Sequence, residues 1–427
     1  MEGCSVSTTA TKLHSWTCMA LIGLGLAASP PVFAAKVVLR VSHAWPATRS
    51  LDQAVFDKWF MGRHPNITVK SDNSNWMTYR EKMLTRIASG AVPDVMYSLD
   101  SWTQIWMKAG VLRDLMPFIK QTKDFNLADF TVENLRKYKQ GSKLFAIPFD
   151  MTPLPFYYNR TLFSQAGLVY PKLDAWTMEK LREFCGKLTK DKNGDGKADQ
   201  FGISFMQWGI NWTDSFFRPW GASVMSKDEQ TMAVDSTKAI DAMQFWTDLI
   251  QKDKVFGGGF EQGKVGVAWL WNTGDVGYLS TSSKGKWEFD VGHLPKGPEA
   301  RVVMAASSGY GISTTSKHPQ EAWTYLNDYM SIEGQHIMRE SFGVPLSRKS
   351  ARTPEYPGAP KDFSFNVIFD MLDDYAQSTV SSAAIEYVYP IITREFGLMF
   401  GGKKSVADAM KRIKAEGDIQ LRIHKLK

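Results

Sequence analysis

The chain has 427 residues, 44% hydrophobic and 22% charged, which is an ordinary globular composition with length for two or three domains. Its formal net charge of +7 is a mild excess without a basic run; Lys403–Lys404 and Lys411–Lys414 read as solvated helix faces, so the sequence argues against a nucleic-acid partner. Aromatic residues reach 13%, with 15 tryptophans, and tryptophan is costly to place without a packing or binding use.

The first residues read as an export signal. Lys12 lies in a polar leader, Thr17–Ser29 is a short apolar run, Pro30–Pro31 breaks it, and Val32-Phe33-Ala34 is a small-residue cleavage pattern. Cleavage is expected after Ala34, making 1–34 the signal peptide. The apolar run is too short for a lasting membrane anchor, and no cysteine follows it where a lipid would attach. Cys4 and Cys18 leave with the signal. Cys185 alone remains, which rules out an internal disulfide; on its helix it is expected to be buried and inert. A soluble periplasmic protein is the expectation.

Lys36–Val41 is a first strand. Ser50 reads as an N-cap with Gln53 as its capping-box partner, and Leu51, Val55, Trp59 and Phe60 recur at helical spacing. Ile67–Lys70 is a second strand. Trp76 opens a helix with Tyr79, Met83, Leu84 and Ile87 on one face and Gly90 as its stop. Val92–Tyr97 is a third strand, followed by a helix to Gly110. Alternation of strand and helix predicts an α/β lobe with a largely parallel sheet, whose ligands sit beyond the carboxyl ends of the strands. The loops there carry Trp45, Trp76, Asp100 and Trp102.

Gly141–Arg160 then punctuates the chain with prolines. Leu144–Ile147 is a short strand ended by Pro148, and Phe156-Tyr157-Tyr158 is another, closed by Asn159. Such a segment suits a crossing between two lobes, with Asp150, Tyr158 and Asn159 facing the gap; a proline-rich loop with a core aromatic strand is the alternative. Thr177 caps a helix over Met178–Leu188. Asp191, Asn193, Asp195, Gly196, Lys197 and Asp199 match part of a calcium loop, with oxygen ligands at alternate positions, but position 12 is Gly202 instead of a bidentate glutamate. A structural calcium here would need a distant carboxylate; otherwise the segment is a polar turn without metal, and no other cofactor is required.

Phe201–Phe205 is a strand, followed by a loop with Trp208 and Trp212, and Trp220 stands in a second aromatic segment. Ser236–Lys252 is an amphipathic helix, Val265–Trp271 a buried strand, and Phe289–Leu294 and Val302–Ala306 two more. Ser307–Gly311 lets backbone approach closely, and Pro319–Met330 and Val406–Leu421 are helices.

The blocks PDVMYSLDSWTQIWMKAGVLRDL, KLFAIPFDMTPLPFYYNRTLFSQAGL, FEQGKVGVAWLW, HLPKGP, SSGYGISTTSKHPQEAWTYLNDYMS, GVPLSR and GGKKSVADAMKRI occur in this order. Together they resemble the family 1 extracellular solute-binding proteins of ABC importers, the group that includes maltose-binding protein. The resemblance implies a two-lobed periplasmic binding protein fold of the class II type. Each lobe is then a largely parallel sheet flanked by helices, and a hinge with crossings near Ile147–Asp150, Val303–Ser307 and Gly343–Leu346 closes them on ligand. The implied first lobe is 35–147 plus 304–343, and the second is 148–303 plus 344–427. By matching position, the implied ligand residues are Trp45, Trp76, Asp100, Trp102, Asp150, Tyr158, Asn159, Trp208, Trp220, Trp271, Tyr310 and Arg348.

Sugar chemistry agrees with this set. Aromatic rings stack on the apolar face of a pyranose, while Asp, Asn and Arg take its hydroxyls. The expected protein is a monomeric, non-enzymatic binder that delivers a mono- or oligosaccharide to the transmembrane subunits of an ABC permease. A polyol, glycerol phosphate or polyamine ligand is the alternative within this class. A secreted glycoside hydrolase or lyase is the alternative outside it, with Asp100 and Asp150 as the carboxylate pair. Against an enzyme, the sequence holds no GxSxG, HExxH or Walker A motif, and the histidines are scattered.

Overall fold

The computed structural model describes residues 36–424, apart from 45–46, 207–208, 270–275, 340–346, 354–358, 379–381 and 383. The strands in chain order are β1 (Val37–Ala44), β2 (Ile67–Ser74), β3 (Val95–Leu99), β4 (Lys139–Gln140), β5 (Lys143–Leu144), β6 (Ile147–Pro148) and β7 (Thr152–Pro153). They continue with β8 (Phe156–Asn159), β9 (Phe201–Phe205), β10 (Val265–Trp269), β11 (Phe289–Gly292), β12 (Val303–Ala306), β13 (Ser308–Ile312) and β14 (Ala376–Ser378). Helices α1 (Ala47–Arg63), α2 (Trp76–Ala88) and α3 (Asp100–Lys108) alternate with the first three strands.

One sheet has the order β2-β1-β3-β13-β6. β1 runs parallel to β2 from Val37↔Ile67 to Ala44↔Ser74 and parallel to β3; β13 joins antiparallel to β3. A second sheet has the order β11-β8-β10-β9, with β9 and β10 parallel and β8 antiparallel to both neighbours. A small sheet has the order β14-β12-β7, with β7 and β12 falling between strands of the two larger sheets in chain order, and β4 and β5 form a hairpin. The chain leaves the first sheet after β6 and enters the small sheet at β7; it returns from β12 to β13 through Ser307. Pro148 is tolerated because β6 is an edge strand, where a missing N–H costs no ladder bond. The expected third crossing at Gly343–Leu346 lies outside the described residues.

Two separate hydrophobic cores accompany the two larger sheets. One gathers Leu39, Val41, Phe56, Phe60, Trp106, Tyr310 and Trp323. The other gathers Phe156, Trp176, Trp246, Trp269 and Phe396, and includes residues from the small sheet and the last two helices. Glycine permits a close approach in each. A Cβ at Gly311 would sit 2.6 Å from the Phe145 carbonyl oxygen, so the glycines flanking Tyr310 make room for the chain entering β6. A Cβ at Gly202 would sit 2.3 Å from the Cys185 carbonyl oxygen, where the helix Met178–Leu188 lies against β9. Cys185 is fully buried, and burial pushes its thiol pKa up, which keeps it inert.

Most elements follow the sequence pattern, and Thr177 caps its helix by accepting from the Lys180 N–H. α1 is the correction. It starts at Ala47, so Ser50 lies inside it and is no N-cap. Leu51 and Val55 are exposed, at 69% and 57%, while Asp52, Gln53, Phe56, Asp57 and Phe60 turn inward. The polar residues face the core because partners wait there. Gln53 donates to Asp57 and to the Tyr325 hydroxyl, and Tyr325 also donates to Asp57. Among the described residues no helix is long and apolar enough to cross a membrane.

Candidate functional site

The carboxyl end of β3 runs directly into α3 at Asp100, beside the crossing through Ser307. The Asp100 N–H donates to the Ser307 carbonyl at 2.9 Å. Its carboxylate accepts from the Ser101 N–H at 2.7 Å and pairs with Lys137 Nζ at 3.3 Å, both side chains being only 2% exposed. Asp150 comes from the other crossing. Its Oδ1 accepts from the Ser308 N–H at 2.7 Å, and its carbonyl accepts from Asn134 Nδ2 and Ser307 Oγ. Tyr138 shares a hydrogen bond with Ser307 Oγ at 2.9 Å; burial first, then the Asp100 and Asp150 carboxylates, raise its phenol pKa. The two aspartates picked from sequence therefore meet around one serine, each held by groups far away in the chain. Lys137, Tyr138 and Asn134 escape sequence reading, and Ser307 enters it only as part of a crossing and a close backbone approach. Lys137 sits in a run, Arg-Lys-Tyr-Lys, that looks like a solvated face.

Trp102 stacks on Tyr79 with centroids 5.8 Å apart and an interplanar angle of 16°, and meets Tyr97 edge-on. Tyr310 lies behind Tyr97 at 5.8 Å. It is fully buried, its hydroxyl is 2.6 Å from His43 Nδ1, and Phe149 and Tyr329 pack on its ring. Trp76 opens α2. Trp45, Trp208 and Trp271 lie outside the described residues.

The remaining described sequence candidates make packing, capping and ion-pair contacts within the protein. Trp220 is 7% exposed, against Phe245 and Trp246 in the second core. Tyr158 stacks on Tyr170 at 4.2 Å; burial and then Asp290 push its phenol up to about 12. Asn159 caps the helix Arg160–Gln165 through the Leu162 N–H and donates to the Gly263 carbonyl. Arg348 is committed to Asp129 at 2.7 Å and to the Met330 carbonyl, pinning its segment to the first half of the chain. Burial works against the Asp129 charge, but the Ser350 hydroxyl, the Arg348 guanidinium and the Ser350 N–H together hold its carboxyl below the usual range.

Charges around the crossings come in closed pairs. Arg80 of α2 meets Glu386 at 3.3 Å. Arg136 pairs with Glu133 at 3.2 Å, and Ser378 of β14 joins both. Arg218 pairs with buried Asp214 at 2.7 Å and reaches Gln377 of β14. With Lys137–Asp100, each of these cations faces a carboxylate.

The calcium-like loop is different in kind. Asp191 accepts from the Gly194 and Gly196 N–H groups, Asn193 from Asp195, Asp195 from Lys197, and Asp199 from Lys192 and Asn193. The Asn193 amide nitrogen sits between Asp195 and Asp199, at 3.3 and 3.5 Å. Gly202 has no room for the glutamate a calcium loop carries at position 12. Among the described residues, no group of three or more His, Cys, Asp or Glu side chains is placed to hold a metal ion. The residues as folded form a turn whose side-chain oxygens accept from its own backbone N–H groups.

Comparison with known proteins matches residues 44–335 to the family model of bacterial extracellular solute-binding proteins. A binding protein of Brucella abortus (strain 2308) is 22% identical over 81% of this chain and 84% of its own length. Three solved structures share the fold. The sugar-binding protein MalE of Xanthomonas citri superposes with a TM-score of 0.77 at 17% identity, covering 91% of this chain and 98% of that one. An ABC substrate-binding protein of Listeria monocytogenes, in complex with cycloalternan, gives 0.75 at 19%, covering 91% and 99%. A maltose/maltodextrin-binding domain of Bdellovibrio bacteriovorus, bound to maltotriose, gives 0.69 at 19%, covering 90% and 100%.

Proposed function

This chain belongs to the bacterial extracellular solute-binding protein family, and from that premise we propose that it captures an uncharged carbohydrate between two lobes and hands it to the transmembrane subunits of an ABC importer. The observation that carries the ligand class is that, among the described residues, four cations around the crossings each face a carboxylate, in Lys137–Asp100, Arg80–Glu386, Arg136–Glu133 and Arg218–Asp214. A phosphate needs a cation to spare, and a polyamine needs carboxylates to spare. A sugar needs neither: it asks for aromatic faces and paired hydroxyl partners. Relatives of the same fold with bound cycloalternan and maltotriose support this reading.

Catalysis is disfavoured on the same ground. A hydrolase needs one carboxyl group able to hold a proton and a second free to attack or activate water. Asp100 and Asp150 are 1% and 4% exposed and already bound to buried partners. The working form is proposed to be a periplasmic monomer released by cleavage after Ala34. Incubation of the mature protein with maltodextrins tests the reading: a stoichiometric shift in melting temperature with intact sugar is expected, and turnover of the sugar would overturn it.

A further inference from the structure

Arg80 stands in α2, one turn after Trp76 and beside Tyr79, which belongs to the first core. Glu386 stands in the first turn of the helix Ile385–Phe400, whose Ile385 and Val388 belong to the second core. Their side chains meet at 3.3 Å and are 25% and 30% exposed. The pair thus joins elements packed into different cores, and it does so near the site. Burial raises the pKa of Glu386, Arg80 opposes that rise, and the charges of Asp100 and Glu81 add to it. Arg80, which also pairs with Glu81 at 3.3 Å, offsets part of the cost of a carboxylate there. If the lobes part, α2 and the 385–400 helix move with different cores and the pair breaks.

We propose that Arg80 and Glu386 form an ion-pair latch across the cleft, made when the lobes close and broken when they open, which favours the closed form without contacting the ligand. The inference rests on the two-lobed capture reading above. A ligand that needs the closed form then binds with an apparent affinity set partly by the latch, because apparent affinity scales with the fraction of competent protein. Arg80 and Glu386 are in this sense positioning residues.

The test uses the ligand-free mature protein, so its outcome does not depend on which solute binds. Lys120→Cys, on the helix Met116–Gln121, and Lys252→Cys, at the end of the helix Thr237–Gln251, are both exposed and take donor and acceptor dyes; Cys185 is buried and does not label. Single-molecule distance distributions are recorded at low and high salt. Arg80→Gln and Glu386→Gln are each expected to lower the closed-to-open ratio by about two- to fivefold, the range of a partly exposed pair. The double variant should fall no further than either single, and the swap Arg80→Glu with Glu386→Arg should recover most of the loss. High salt should lower the ratio in the unmodified chain and leave the variants alone. Unchanged distributions in both single variants would overturn the latch. So would additive losses in the double variant, or an unmodified chain with no short-distance population. Melting curves of the same variants separate misfolding from opening, and the swap retains the test if a single variant fails to fold.

Discussion

Two parts of the molecule gather carboxylates and use them in opposite ways. In the turn Asp191–Asp199, each carboxylate accepts from a backbone N–H a few residues away, the Asn193 side chain reaches the second oxygens of Asp195 and Asp199, and Asp191 and Asp195 stay exposed. At the crossings, Asp100 and Asp150 are buried and held by Lys137, Ser308 and the Ser307 backbone, partners tens to hundreds of residues away. The turn organises itself; the crossings organise the fold. A motif that reads clearly along the chain is therefore the one with the smaller consequence, because everything it needs is local.

Substitutions can break or sharpen that contrast. The largest effect is expected from Lys137→Met, which leaves Asp100 buried without its cation; a loss of about 3–5 kcal/mol in urea unfolding is the expectation, and a loss below about 1 kcal/mol would place the pair with the exposed turn. Asp150→Ala comes next. It strips the buried Ser308 N–H of its acceptor, for about 1–3 kcal/mol in the same assay. Arg348→Gln should cost about 1–2 kcal/mol at neutral pH. It also carries a pH signature. The folded Asp129 pKa is depressed, so its contribution is complete above the unfolded value, near about 4, and is lost as pH falls through the folded value. Arg348→Gln should flatten that acid limb of the stability curve. The smallest effect belongs to the turn: a chelator should leave the melting temperature unchanged, whereas a drop of several degrees would reinstate calcium there.

Much of the fold is legible because its cues are local. The cap at Thr177 and the apolar strands Val265–Trp269 and Phe201–Phe205 need only neighbours in sequence. α1 misleads because its inward face is polar; Gln53 and Asp57 are satisfied by Tyr325, which lies more than two hundred residues on. The site is legible in part. Asp100, Trp102 and Asp150 come out of loop position and proline punctuation. Trp220 and Tyr310 share the chemistry of a sugar-stacking ring, but a ring stacks on Phe245 or Tyr97 by the same forces, and the sequence does not say which face it meets. Arg348 offers a bidentate fork to a hydroxyl pair, yet Asp129 takes it first. Arg80 and Glu386 carry no signal at all, since only the tertiary fold puts them together.

The central claim is that the cleft takes a neutral, hydroxyl-rich solute. Calorimetric titration of the mature protein with maltotriose and other neutral oligosaccharides, beside glycerol 3-phosphate and spermidine, tests it most directly. Saturable binding of one neutral sugar, little changed between low and high salt, is the predicted result. Silence from every sugar together with salt-sensitive binding of the phosphate or the amine would contradict it.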